Sequence, residues 1–243
     1  MLRSLARSFA KSLGYEVMGP PRAFAIHHTL HGLLRHQQIN LVLDVGANEG
    51  QFGKELRASG YRGRIVSFEP LAEPYERLRR CAAADPDWAV AERTAVGSET
   101  GTITINLSQA STSSSILPML PAHAEAAPQT VYVSKETVPI HRLDDLYRLA
   151  PDDRMLLKID VQGYERQVLA GAPNLLAGCR AVILEMSLVP LYEGQTLALD
   201  LWQFMAQQGF EAWALETGFR HKDTWRMMQV DGLFIRRGDS QSV

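Results

Sequence analysis

Glycines and carboxylates between residues 41 and 69 have the types and spacing of a nucleoside-binding pocket. The apolar run Leu41–Val45 is followed at once by Gly46 and then by Gly50, and a second apolar run ends at Glu69. Glycines let the backbone approach a ligand closely, and an acid at the tip of the next strand can bind the hydroxyls of a ribose. We therefore predict a cofactor pocket in which Glu69 holds the ribose.

The loop between the two glycines favours a sulfonium cofactor over a dinucleotide. A dinucleotide loop carries three glycines, so that a pyrophosphate can rest on a helix N-terminus. Here residues 47–49 are Ala-Asn-Glu, and the Glu49 carboxylate would repel a phosphate. We expect S-adenosylmethionine as the cofactor and S-adenosylhomocysteine as the product. Asp44 is expected to orient the loop or the amino group of the cofactor, and Ala95 and Val96 are expected to lie beside the adenine.

Two further carboxylates lie where later apolar runs end. Asp160 follows Met155–Ile159, and Glu185 follows Ala181–Leu184. Neighbouring parallel strands bring such side chains to one rim, where ligands bind. Methyl transfer to an alcohol needs a group that takes the hydroxyl proton. Asp160 is our first choice as general base or hydroxyl positioner, and Glu185 is second, as a partner of the acceptor or of Asp160. His141 is a third candidate, either catalytic or as a metal ligand with the two acids; a divalent metal stays open but is not favoured.

Strand and helix signals alternate along the chain from residue 41 onward. This alternation is typical of an α/β fold with a mostly parallel sheet and helices on both faces. No clear helix signal separates the last two strands, Glu211–Leu215 and Gly232–Arg236, so we expect an antiparallel edge there. We predict a Rossmann-like, seven-stranded sheet in a domain of residues 41–238, preceded by a helical extension of residues 1–40.

The middle of the chain interrupts this pattern with a Ser/Pro/Ala-rich region, Ser108–Gln129. Loops of this length in compact domains are usually functional, and hydroxyls can hydrogen-bond a sugar. Ser113, Ser114 and Ser115 are therefore expected to belong to a lid over the acceptor. Around this region the predicted strands are Trp88–Thr94, Thr102–Leu107, Val131–Val133 and Thr137–Ile140, and one helix is predicted at Tyr164–Leu176.

The composition is that of an ordinary globular protein, with 46% hydrophobic residues, 21% charged residues and a net charge of −2. This balance gives no global attraction to nucleic acid, and no run approaches the roughly 20 apolar residues of a membrane span. The cysteines, Cys81 and Cys179, are expected to be free thiols. A reducing compartment follows from that expectation, and we predict a cytoplasmic location.

Residues 1–13 have an amphipathic pattern, with Leu2, Leu5, Phe9 and Leu13 on one helical face and basic residues elsewhere. The favoured interpretation is a helix packed on the domain. The alternative is peripheral contact with an anionic membrane, which would suit a lipid-linked acceptor.

Several motifs together resemble the FkbM family of S-adenosylmethionine-dependent methyltransferases. The most distinctive is Lys-Ile-Asp-Val-Gln-Gly-Tyr-Glu at residues 158–165. The resemblance runs from about Leu41 to Glu193 and leaves both flanks outside. The other matching segments are residues 43–52, 67–70, 95–97, 111–115, 142–145, 168–172, 184–187 and 190–192.

The resemblance implies a class I methyltransferase fold and methylation of hydroxyls on sugars, glycolipids or polyketides. The expected partner is therefore a small-molecule or glycolipid acceptor. Gln162 departs from the family pattern, where an acid is common, and this weakens any role built on a carboxylate there. The residues expected to bind the cofactor are Asp44, Gly46, Ala47, Asn48, Gly50, Phe52, Glu69, Pro70, Ala95 and Val96. Those expected to bind the acceptor are Ser113, Ser114, Ser115, Tyr164 and Tyr192.

Two other functional classes stay open on the sequence. An NAD(P)-dependent oxidoreductase is disfavoured by the missing third glycine. A non-catalytic binding module on a methyltransferase fold is disfavoured by the intact glycines and acids of the predicted site. No nucleic-acid partner is expected, and a homo-oligomer is compatible with the sequence.

Overall fold

The computed structural model describes residues 24–238 of the chain. The strands are β1 (Leu41–Val45), β2 (Arg64–Phe68), β3 (Trp88–Val90), β4 (Ala95–Gly97), β5 (Gly101–Ser108), β6 (Tyr132–Arg142), β7 (Met155–Ile159), β8 (Ala181–Ser187), β9 (Phe210–Thr217) and β10 (Gln229–Arg236). The helices are α1 (Phe24–His36), α2 (Gln51–Ala58), α3 (Ala72–Ala82), α4 (Pro121–Ala126), α5 (Leu143–Leu146), α6 (Glu165–Ala170), α7 (Pro173–Gly178) and α8 (Ala198–Gln207). Short 3-10 turns occupy Ser111–Ser113 and Pro128–Thr130.

The main sheet has seven strands in the order β3-β2-β1-β7-β8-β10-β9. Strands β3, β2, β1, β7 and β8 run parallel, and β10 runs antiparallel to both β8 and β9. The chain leaves β1 first toward β2 and returns on the other side with β7, so the strand order reverses at β1. Open α/β sheets bind ligands at such a switch point, outside the carboxyl ends of the strands. The predicted seven-stranded, mostly parallel sheet with an antiparallel pair at its edge is confirmed.

Helices cover both faces of the main sheet, and each covered face has its own apolar core. Every residue of β1 is buried, as expected for a strand with parallel neighbours and helices on both sides. On one face, Leu30, Leu33 and Leu34 of α1 pack in the cluster that contains Val42. The amphipathic stretch of residues 1–13 lies outside the described residues. No helix between residues 24 and 238 is both long and apolar enough to cross a bilayer.

Strands β4, β5 and β6 form a separate three-stranded sheet in the order β4-β6-β5. The two short strands predicted around residue 135 are one long strand, β6, which pairs antiparallel with β5. Polar residues 134–136 continue the ladder, because an antiparallel strand can keep one face in water. Conversely, the strand predicted at Trp88–Thr94 ends at Val90.

The single helix predicted at Tyr164–Leu176 is wrong, because the chain forms two helices, α6 and α7, with a break between them. Gly171 lies so close to the carbonyl oxygen of Gly97 that a Cβ there would collide with it. Pro173 cannot donate a helical backbone hydrogen bond and suits the first turn of a new helix. The close approach of β4 therefore ends α6 where sequence periodicity alone would continue it.

Candidate active site

The carboxyl ends of the parallel strands open into a cavity of about 340 Å³. A first row of paired positions crosses the sheet here: Asp44 of β1, Lys158 of β7, Ile183 of β8 and Leu233 of β10. Side chains two residues apart on a strand point to the same face. The next row on this face therefore lies two residues nearer the rim on each strand.

The second row is acidic. Asp160 follows β7, and Glu185 of β8 lies in register with Asp231 of β10, which in turn lies in register with Glu216 of β9. All four acids line the cavity. Burial, and then the Asp160 charge, raise the pKa of Asp231 to about 6. The acids of this wall therefore disfavour one another's ionisation.

The loop after β1 packs its backbone closely against the ends of β2 and β7. Gly46 has φ 80°, and a Cβ at this position would collide with the backbone carbonyl of Asp160. The backbone N–H groups of Gly46 and Ala47 both donate to the Phe68 carbonyl, each at 3.0 Å, which ties the loop to β2. Asn48 also adopts a left-handed conformation, with φ 47°. The backbone of β1 thus meets that of the β7 loop without intervening side chains.

Glu69 is buried at the tip of β2, where both of its oxygens accept backbone hydrogen bonds. Oε2 accepts from the Asn48 N–H at 2.8 Å, and Oε1 accepts from the Leu71 N–H at 2.9 Å. Burial raises the pKa of Glu69 to about 7, although these hydrogen bonds oppose the shift. A carboxylate has about four acceptor sites, so each oxygen keeps capacity for a further donor such as a ribose hydroxyl.

Lys158 occupies the first row beneath the acidic rim. Its Nζ lies 3.3 Å from Asp44 Oδ1 and 3.4 Å from Asp160 Oδ2. Burial alone would lower the pKa of Lys158, but the two carboxylates raise it above its ordinary value. Lys158 is therefore a fixed cation that links the cofactor side of the cavity to Asp160.

Asp160 and Glu185 are brought together, as predicted from their positions at strand tips. Gln162 Nε2 donates to Asp160 Oδ1 at 2.9 Å and to Glu185 Oε2 at 2.6 Å. Gln229 Nε2 donates to Glu185 Oε2 as well, at 2.8 Å. Burial, and then the charges of Asp160 and Asp231, raise the pKa of Glu185 well above its ordinary value.

The predicted lid region contacts both halves of the cavity. Asn48 Nδ2 donates to Ser111 Oγ at 3.2 Å on the cofactor side. Ser115 Oγ donates to the Gln162 carbonyl at 2.6 Å on the acidic side. Ser114 and Ser115 line the cavity, whereas Ser113 does not.

The other predicted site residues divide into those that line the cavity and those behind it. Asp44 and Gly50 lie behind it: Asp44 is fully buried beside Lys158, and Gly50 packs near Trp88. The predicted cofactor residues that line the cavity are Gly46, Ala47, Asn48, Phe52, Glu69, Pro70, Ala95 and Val96.

His141, Tyr164 and Tyr192 do not line the cavity directly. His141 lies on β6, and its Nδ1 is 2.9 Å from Oγ1 of Thr94, which does line the cavity. Tyr164 packs beside the small sheet. Tyr192 is buried, and its hydroxyl donates to Gln162 Oε1 at 2.8 Å. Within residues 24–238, no group of three or more His, Cys, Asp or Glu side chains is arranged to hold a metal ion.

Sequence reasoning missed Asp231 and Glu216, which come from the antiparallel strands β10 and β9. The signal was an acid within or beside each predicted strand, but only the pairing register shows that both face the cavity. The Glu49 carboxylate, which we expected to repel a phosphate at this helix start, forms an ion pair with Arg77 at the surface.

The residues that line the cavity fit S-adenosylmethionine. Gly46, Ala47 and Asn48 present the loop after β1 to the cavity, and Glu69 keeps acceptor capacity for two hydroxyls. Six carboxylates line the described part of the cavity and Lys158 is the one basic side chain there, an excess that suits a cationic sulfonium; the six are Glu55, Glu69, Asp160, Glu185, Glu216 and Asp231.

Comparison with known proteins gives a family match and distant structural similarity. Residues 44–212 match the family described as Methyltransferase FkbM domain. A search of curated proteins gives no match. Among solved structures, a putative RNA methyltransferase from Pyrococcus horikoshii is similar at 12% identity and a TM-score of 0.46, covering 95% of this chain and 97% of that chain. Magnesium protoporphyrin IX methyltransferase from Synechocystis PCC 6803, solved with bound SAM, is similar at 12% identity and a TM-score of 0.46, covering 96% of each chain.

The family match spans more than half of the chain and contains the end of β1, Glu69, Asp160 and Glu185. The chain therefore belongs to the FkbM family of S-adenosylmethionine-dependent methyltransferases.

Proposed function

We propose that the protein is an O-methyltransferase that acts on a hydroxyl of a saccharide, a glycolipid or a related natural product. The observation that carries this proposal is the pair of carboxylates, Asp160 and Glu185, joined through Gln162 in the same cavity as Glu69. An alcohol is a poor nucleophile, and a positioned carboxylate can take its proton during the transfer. The family assignment favours methyl transfer over the oxidoreductase alternative.

The cofactor half of the cavity has the groups needed to bind and orient S-adenosylmethionine. Glu69 would hold the ribose hydroxyls, and the loop from Gly46 would lie against the ligand. Ala95 and Val96 line the wall expected for the adenine. When bound, the cofactor supplies an electrophilic methyl group on a positively charged sulfur. Holding the acceptor oxygen, the methyl carbon and the sulfur in line can contribute much of the reduction in the activation barrier.

The acceptor half combines apolar side chains with hydrogen-bond acceptors. Leu30, Ile183 and Leu233 line the cavity together with the acidic second row. A sugar ring is complementary to this lining, because its C–H faces can pack on the apolar side chains and its hydroxyls can donate to the carboxylates. This supports a saccharide acceptor. Ser111, Ser114 and Ser115 add hydroxyls to the cavity lining.

Cys81 and Cys179 are both free thiols. Disulfide-free cysteines are ordinary in a reducing compartment. This supports the proposal that the protein acts in the cytoplasm, where a glycolipid acceptor would be reached from the membrane surface.

The proposal is tested by transfer of a labelled methyl group from S-adenosylmethionine into cell-envelope extracts, with the products identified by mass spectrometry. We expect an O-methylated carbohydrate product. Asp160→Asn and Glu185→Gln should each lower the initial rate about 100-fold or more, because each removes a carboxylate of the pair. Both variants should keep the affinity for S-adenosylhomocysteine within about threefold, since Glu69 and the Gly46 loop are unchanged.

Asp200→Asn is the matched control, because Asp200 is exposed on α8 and lies outside the cavity. It should keep the wild-type rate. A methylated product carrying the label on nitrogen or carbon, or wild-type rates in both Asp160→Asn and Glu185→Gln, would contradict the proposed O-methylation.

A further inference from the structure

Gln162 has a backbone conformation that a residue with a Cβ rarely adopts. Its φ is 56°, and the next residue, Gly163, has φ 100°. Such strain persists at a non-glycine residue only where the surrounding structure determines it, and it clusters at functional sites. The surroundings do determine it here. Ser115 Oγ donates to the Gln162 carbonyl at 2.6 Å, and Glu165 Oε1 accepts from the Val161 and Gly163 N–H groups at 3.2 and 3.0 Å.

The orientation of the Gln162 amide is fixed by its neighbours. The Tyr192 hydroxyl donates to Oε1 at 2.8 Å, and Nε2 donates to both carboxylates of the pair. A reversed amide would place its oxygen against Asp160 and Glu185, which carry no donor when ionised. Tyr192 therefore holds the two N–H groups of Gln162 toward the two acids.

The two acids differ in how many of their carboxylate oxygens already have a partner. Asp160 is engaged at both oxygens, by Gln162 at Oδ1 and by Lys158 at Oδ2. Glu185 is held at Oε2 by Gln162 and Gln229. Among the contacts made by residues 24–238, no hydrogen bond or ion pair reaches Glu185 Oε1.

We propose that Gln162, oriented by Tyr192, is a positioning residue that ties Glu185 to Asp160 and leaves Glu185 Oε1 to receive the proton of the acceptor. This inference rests on the proposed function and assigns the roles within its carboxylate pair. The acceptor O–H bond breaks and its proton passes to Glu185 Oε1. The acceptor oxygen forms the new bond to the methyl carbon as the C–S bond breaks, and that electron pair stays on sulfur.

Gln162→Gly is the central test, because it removes the amide while relieving the left-handed backbone. We expect the rate of methyl transfer into the envelope extract to fall about 10- to 100-fold. The affinity for S-adenosylhomocysteine should stay within about threefold, and the thermal midpoint should not fall. Gln38→Gly is the matched control, since Gln38 has φ 50° at an exposed position away from the cavity. It should keep the wild-type rate.

The dependence of the rate on pH separates positioning from a structural role. The charged groups that face Glu185 are Asp160, Asp231, Glu165 and Lys158, and all remain in these variants. Losing a donor to the ionised carboxylate raises its pKa. The acid limb of the pH–rate profile should therefore move to higher pH in Gln162→Gly and further in Gln162→Glu, which adds a third carboxylate.

A double-mutant cycle tests whether Tyr192 acts through Gln162. Tyr192→Phe should lower the rate about three- to tenfold in the wild-type background and have no further effect in Gln162→Gly. An equal loss in both backgrounds would overturn the orienting role of Tyr192. A wild-type rate and an unmoved pH profile in Gln162→Gly would overturn the proposal as a whole.

A measurement without an acceptor distinguishes failure of this inference from failure of the proposed function. In protein with ¹³C-labelled glutamate and bound S-adenosylhomocysteine, the Glu185 carboxyl resonance is the one lost in Glu185→Gln. Its titration midpoint should rise in Gln162→Gly. An unmoved midpoint contradicts the positioning role, whatever the extract assay shows about methylated alcohols.

Discussion

At the scale of a residue, Glu69 shows how one carboxylate can close a loop and still bind a ligand. Its two backbone hydrogen bonds join the residues before α2 and α3 to the tip of β2. Burial holds its pKa near 7, far above that of an exposed glutamate. Its ionisation therefore falls within the range of pH at which binding can be measured.

This titration predicts a pH dependence of cofactor binding. Ribose hydroxyls donate to the ionised form of Glu69, and the fraction in that form decreases as the pH falls below about 7. We expect calorimetry to show that the affinity for S-adenosylhomocysteine weakens below pH 7, approaching about tenfold per pH unit for one linked proton. Glu69→Gln should lose this slope and weaken binding at pH 8 by about 10- to 100-fold.

Glu76→Gln is the control for the loss of one carboxylate, because Glu76 lies exposed on α3. It should behave as the wild-type protein does at every pH. Equal affinities of Glu69→Gln and the wild-type protein at pH 8 would exclude Glu69 from the ribose site.

Individual site residues could be predicted where strand ends determine them. Glu69, Asp160 and Glu185 were identified because an acid follows or ends an apolar run, and the structure places all three on one cavity. The bridge through Gln162 and Tyr192 could not be predicted, since the two residues are far apart in sequence and meet only through the fold. The catalytic role of His141 stays a prediction.

At the scale of an element, the glycine loop after β1 depends on the close approach of two backbones. Gly46→Ala should destabilise the fold by more than the cost of placing alanine in a left-handed conformation, because its Cβ would also collide with the Asp160 carbonyl. We expect Gly46→Ala to lower the free energy of unfolding, measured in urea, by about 1–2 kcal/mol for the backbone and by about 1–3 kcal/mol more for the collision. Binding of S-adenosylhomocysteine should be lost as well.

Gly60→Ala separates these two contributions. Gly60 has φ 95°, and a Cβ there would meet nothing within 4 Å. It should show the backbone cost alone and keep its affinity for the product. Equal destabilisation by Gly46→Ala and Gly60→Ala would contradict the predicted cost of the collision between the Cβ of residue 46 and the Asp160 carbonyl.

Element boundaries were predictable where periodicity acts alone and not where tertiary contacts intervene. The largely apolar runs of β1, β7 and β8 identified those strands from the sequence. The break between α6 and α7 depends on the contact of Gly171 with β4, and the length of β6 depends on its pairing with β5. Neither contact can be read from local sequence.

At the scale of the whole molecule, the site exists because the strand order brings distant segments together. The acidic row joins β7, β8, β10 and β9 from the second half of the described chain, and the order of the strands places it beside β1 and β2 from the first half. Alternation of strands and helices was enough to predict the sheet. It was not enough to predict that the antiparallel strands contribute Asp231 and Glu216, because only their register sets which face those acids occupy.

The binding of the methyl-donor product is the most direct test of the strand-tip cavity as a cofactor site. At a concentration of S-adenosylhomocysteine 100 times its Kd, we predict stabilisation by about 2.7 kcal/mol, or a rise in Tm of about 5–11 °C for a chain of this size. NADH at the same concentration should leave Tm unchanged, and Glu69→Gln should abolish most of the shift. Stabilisation by NADH and none by S-adenosylhomocysteine would contradict the assignment.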